Sequence, residues 1–140
     1  MTDALTLGWT KARANASLVL YRRVLGFNLI LHLMIGLACI FLPYWVSSTF
    51  GLPAPIPTGW VRGWGATLIL VTALYVPGFF DPTHHRAPNV IGVLGRLWMA
   101  IIWMFCGGGF LWFALFDFAF FLVLGGLYLR FLMSTLMSRP

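Results

Sequence analysis

Charge is what this chain has least of. Only 9% of its 140 residues are charged; three are acidic, and there is a single lysine. A water-soluble domain of this length keeps much of its surface exposed and covers it with such groups. The composition excludes that class, because 61% of the residues are hydrophobic and the mean hydropathy is +0.92. The chain reads instead as an integral membrane protein.

Other scarcities narrow the function. The formal charge is +6, but there is no basic run, and the arginines stand beside apolar segments. Membrane topology and contact with anionic lipid account for them, and nucleic acid is not an expected partner. The two cysteines, Cys39 and Cys106, fall in predicted helices at unequal depths. A disulfide needs Cα atoms within about 7 Å, so both are expected to be buried thiols acting as small hydrophobes. Residues 1–23 carry charges throughout and have no early apolar run with a small-residue cleavage site, so no cleavable signal peptide is expected. There is no nucleotide or flavin motif such as GxGxxG. With no internal repeat and no soluble domain, any partner meets the chain in or beside the membrane.

What is present in quantity is apolar helix. Residues 91–130 hold three charged residues, the last at the very end. A hydrocarbon core about 30 Å thick takes about 20 residues of helix, so this stretch is long enough to cross twice. Gly107, Gly108 and Gly109 supply the reversal point, since glycine tolerates the backbone angles of a tight turn. Arg96 and Asp117 lie about 12 and 9 residues from that turn on antiparallel helices, so their depths differ by about 4–5 Å. An arginine side chain spans that difference.

Residues 24–46 form a first span, with Tyr44 and Trp45 at its interfacial end. Asn28 and His32, four apart, share one of its faces. Before it, residues 1–23 read as an interfacial amphipathic segment or an extension of the span, with Leu5, Leu7, Trp9, Leu18, Leu20 and Tyr21 toward lipid. The proline-rich, uncharged stretch after residue 46 reads as an extended connector. A second span covers residues 60–80, with Trp60 and Trp64 at its outer end and a break at Pro77-Gly78. The polar connector DPTHHRAP follows, in which Asp81 caps a turn. Residues 133–140 are a tail. The expected fold is therefore all-α, a four-helix transmembrane bundle. Lys11, Arg13, Arg22, Arg23, Arg86, Arg96, Arg130 and Arg139 fall toward one side and Arg62 toward the other, which predicts both termini inside.

Ionisable groups within a span are costly, so each is a functional candidate. Arg96 and His32 are expected in the inner half of their spans and Asp117 nearer the middle, with Asn28 beside them. On the functional reading the four form a proton-handling or headgroup-binding pocket, for instance for a quinone carbonyl. On the structural reading Arg96 pairs with Asp117 or snorkels, and His32 bonds Asn28 or nearby backbone. Asp81, His84, His85 and Arg86 form an interfacial loop suited to lipid phosphate. Asp81, His84 and His85 are the only ligand-type residues there, and a zinc site wants at least three held in fixed geometry, so contact with lipid is expected over metal; a haem held by this chain alone would want a second histidine in a span. Gly92, Gly95, Ala119 and Gly126 offer small surfaces for helix contact. Phe110, Phe113, Phe116, Phe118, Phe120 and Phe121 surround the last span, facing lipid, a pigment or another subunit.

Phe80-Asp81-Pro82, Gly95-Arg96, Trp112-Phe113 and Phe116-Asp117 give residues 60–130 a pattern that resembles small four-span bacterial proteins of the DoxX-like kind. The resemblance implies the same architecture, a bacterial inner membrane and a link to quinone-dependent redox complexes. Taken with the small size and aromatic spans, the first functional expectation is a non-catalytic accessory subunit of a larger inner-membrane complex handling electrons or pigments. The alternative is a quinone-interacting redox protein using His32, Arg96 and Asp117. The third is a small transporter, disfavoured by the lack of repeats and of polar pathway residues.

Overall fold

The computed structural model describes the backbone of residues 2–137 and the side chains of residues 8–137. It contains five helices: α1 (Thr2–Phe41), α2 (Pro43–Phe50), α3 (Gly59–Phe80), α4 (Arg86–Cys106) and α5 (Leu111–Met137). There is no strand among the described residues. Four of the helices are long and apolar enough to cross a membrane. Leu5 and Leu7 as lipid-facing side chains, Arg139 and the end of the tail lie outside the described residues.

Helix boundaries follow proline and glycine. The helix that begins at Thr2 is continuous to Phe41, so residues 2–23 are not a separate helix but run on into the first span. It stops at Phe41 rather than Val46 because Pro43 cannot continue the backbone ladder, and Leu42 before it is pushed to φ −127°. Pro43 instead opens α2, where its missing N–H is not needed. Residues 47–50 therefore belong to a helix, not to the extended connector, and the connector proper is 51–58. Pro77 does not break α3, which runs to Phe80; it forfeits one helical hydrogen bond, a loss that packed transmembrane helices tolerate. α4 likewise begins at Arg86, taking Pro88 into its first turn.

The three glycines of the hairpin serve two uses. Gly107 and Gly108 have φ of 65° and 54°, values that side-chain-bearing residues rarely adopt. Gly109 lies against the end of α2: a Cβ there would stand 2.1 Å from the Phe50 carbonyl oxygen. Around the bundle the order is α3, α1, α5, α4, and the seam between α3 and α4 is the loosest. α1 lies close on α3, where a Cβ at Gly65 would lie 2.5 Å from the Gly36 carbonyl oxygen. Gly92 does serve close packing, with its missing side chain replaced by Tyr75, but Gly95 and Gly126 meet nothing within 4 Å. Ala119 is exposed. Spacing alone does not say which face of an apolar helix turns inward.

Two apolar clusters fill the interior. One gathers Tyr21, Leu25, Tyr75, Leu124, Tyr128 and Phe131 toward the α3–α4 connector. The other gathers Cys39, Val46, Leu52, Val61 and Phe113 toward the glycine hairpin. Tyr21 is thus core rather than lipid-facing. Trp64 is not an interface marker, because its ring packs 5.5 Å from Trp103 and 5.0 Å from Phe113. Both cysteines are free, but only Cys39 is buried and Cys106 is exposed. Large side chains such as Phe27, Met34, Leu70, Trp98 and Leu115 point outward, as expected where the outside is lipid.

Candidate functional site

Between the two apolar clusters lies a polar layer. Arg96 is the central residue of α4, ten positions from either end, about 15 Å of helix on each side. It therefore sits at mid-span rather than in one half. Its guanidinium Nη1 donates to Asp117 Oδ1 at 2.6 Å and its Nη2 to Asn28 Oδ1 at 2.6 Å. Nη2 also contacts His32 Nε2. A guanidinium only donates, so His32 Nε2 accepts and the ring proton sits on Nδ1. Arg96 is buried to 3% exposure and Asp117 to 14%. The i, i+4 spacing on α1 that puts Asn28 and His32 on one face brings both to the same cation.

Aromatic rings complete the setting. The guanidinium carbon lies 5.6 Å from the Phe116 ring centre and 5.3 Å from that of Phe120, within cation–π range. Two of the six phenylalanines on the last span thus cover Arg96 rather than lipid or a pigment. Phe113, Asp117 and Phe120, at i, i+4 and i+7, share one helical face, a readable signal for rings flanking the carboxylate. The layer carries more donors than acceptors. His32 Nδ1, Asn28 Nδ2 and Arg96 Nε are buried with no partner among the described residues, a costly arrangement for a donor.

The layer opens onto a cavity of about 500 Å³ in the loose seam between α3 and α4. Its walls are apolar, from Leu68, Val71 and Leu74 on one side to Ile91 and Met99 on the other, and His32, Arg96 and Asp117 lie on its floor. Leu74 and Ile91 are also largely exposed on the outer surface, so the groove communicates sideways with the surroundings of the bundle. No sequence pattern indicates this groove, which depends on how far two apolar helices splay.

The connector residues form a different kind of structure. Asp81 Oδ1 accepts the Thr83 hydroxyl at 2.6 Å and the backbone N–H groups of Thr83 and His84 at 3.2 and 3.1 Å. Its Oδ2 pairs with His84 Nδ1 at 2.7 Å. The hydrogen bond from Thr83, then that from the His84 backbone, holds the carboxyl well below the usual carboxylate range. Arg86 Nε donates to the Thr83 carbonyl at 3.0 Å. Asp81, His84 and Arg86 thus close their own turn, and His85 is exposed beside them. Among the described residues, no three His, Cys, Asp or Glu side chains gather as metal ligands do. Asn89, which sequence reasoning did not single out, donates to the Gly78 carbonyl at 3.1 Å and ties the end of α3 to the start of α4.

Fold and polar layer together define a multi-pass helical membrane protein with a charged centre. Comparison of the chain with protein-family models, with characterised proteins and with solved structures finds no match in any of the three.

Proposed function

We propose that this chain is a non-catalytic subunit of a larger membrane complex, in a bacterial inner membrane, and that its α3–α4 groove holds a lipid-dissolved molecule of the quinone kind. The observation that carries the reading is the pairing of an apolar, laterally open cavity with a donor-rich floor at mid-span. A volume of about 500 Å³ falls in the range of small-molecule sites. A ligand entering from lipid keeps its tail against α3 and α4 and sets a carbonyl oxygen toward Arg96 and His32. One acid and one histidine at the floor are a thin set for catalysis, which favours holding over conversion. The DoxX-like resemblance points to the same ligand class.

Purification in mild detergent, with mass spectrometry of co-purifying proteins and extracted lipophiles, addresses the partner and the ligand together. Binding itself is read by titrating a short-chain quinone against tryptophan fluorescence, since Trp64 and Trp103 line the groove. Gly95 also lines it, and a Cβ there meets nothing within 4 Å, so Gly95→Leu is the variant chosen to occupy the groove. The expected result is saturable quenching that weakens at least tenfold in Gly95→Leu, by loss of the occupied volume. Equal quenching in both proteins would sink the reading.

A further inference from the structure

We infer that Asp117 makes the groove selective for neutral head groups and turns away lipid acids, a step that rests on the groove being a binding site. Two independent observations lead there. The first is charge. Arg96 and Asp117 meet at 2.6 Å, so the floor presents donors but no net positive charge. An arriving carboxylate or phosphate gains the guanidinium only by coming close to the Asp117 carboxylate, in surroundings too apolar to screen the repulsion. A neutral carbonyl meets the same guanidinium with no such opposition. The second is depth. Arg96 stands midway along α4, and an acid must leave the headgroup region and travel to mid-span to reach it, where isolated charge is most costly. A carbonyl-bearing lipophile already dissolves there. Asp117 therefore acts on specificity by cancelling the charge of Arg96, and removing it leaves a bare intramembrane cation that an acid would neutralise.

The test uses two probes that differ in head-group charge and one methyl group: a chain-brominated fatty acid and its methyl ester, titrated against the full chain at a pH where the acid is ionised. Bromine quenches the tryptophans lining the groove. The wild type should bind the ester at least tenfold more tightly than the acid. In Asp117→Asn the ratio should move at least tenfold toward the acid, and in the Arg96→Gln/Asp117→Asn double variant that gain should vanish. Equal affinity of acid and ester in the wild type overturns the inference even if no variant folds, and so does an unchanged ratio in Asp117→Asn. Gly95→Leu separates the two levels of failure. If it weakens both probes while they bind the wild type equally, the groove is a site and the charge filter is wrong. If it weakens neither, or if neither probe binds, the groove reading fails and this inference with it.

Discussion

Arg96 has partners on two other helices, Asn28 and His32 on α1 and Asp117 on α5. Lysine would not serve here, because a single ammonium lacks the planar fork that reaches several acceptors at once. The two ends of the ion pair are not equivalent. Without Asp117 the guanidinium keeps Asn28, His32 and the rings of Phe116 and Phe120. Without Arg96 the carboxylate loses the one basic side chain paired with it, and its short stem cannot carry it to an interface. One central charge costs about 2.5–3.5 kcal/mol on insertion scales. Each single neutral substitution should therefore cost about 2–4 kcal/mol, with Arg96→Gln the worse of the two. The double variant should recover at least about 1 kcal/mol relative to the sum of the singles. Thermal unfolding of Asp117→Asn, Arg96→Gln and the double variant in one detergent measures this. Strict additivity would mean that the pair contributes nothing as a pair.

At the scale of elements, the bundle is held by close backbone approach where the helices carry no side chain. The α1–α3 crossing is the clearest case, because the atom facing Gly65 is a backbone oxygen of Gly36 that cannot swing aside. Gly65→Ala should destabilise the fold by about 1–3 kcal/mol, the usual cost of overpacking. Gly63→Ala, on the same helix with nothing within 4 Å, should be neutral or stabilise by up to about 1 kcal/mol. Unfolding midpoints of the two variants in parallel decide it; equal effects would mean that the crossing is not close-packed. This crossing was not legible in the sequence, and the reason is physical. A helix apolar on every side has no polar face to fix its rotation, so spacing picked out Gly95, Ala119 and Gly126, which make no close approach, and passed over Gly36 and Gly65. The charged residues are the exception. A charge in a span must turn inward, which is why Arg96, Asp117, His32 and Asn28 could be grouped from spacing and depth alone. The groove beside them is set by the splay of α3 from α4, and nothing in the composition encodes that angle.

For the whole molecule, the remaining question is which way it lies in a membrane. Several contacts bring one end together: Ser17 and Ser134 hydroxyls at 3.5 Å, Arg22 over Phe79 at 5.3 Å, and the Tyr128 hydroxyl on the Pro82 carbonyl at 3.5 Å. Lys11, Arg13, Arg22, Arg23, Arg86 and Arg130 belong to that end by their positions on α1, α4 and α5, and Arg62 near the start of α3 belongs to the other. Arg96 leaves the tally, because it is buried at mid-span and paired. The asymmetry survives that removal, and basic residues near span ends are retained on the cytoplasmic side. The 51–58 connector should therefore face outward and the 81–85 connector inward, with both described ends of the chain inside. Exposed Cys106 near the hairpin would itself react with a thiol label, so the experiment belongs in a Cys106→Ser background. In intact spheroplasts, a membrane-impermeant maleimide should label Pro55→Cys at once and His85→Cys only after permeabilisation. The reverse pattern would invert the topology and show that charge does not set it here. Labelling of both from the same side would mean that α3 does not cross, and the groove between α3 and α4 would then face something other than the bilayer interior.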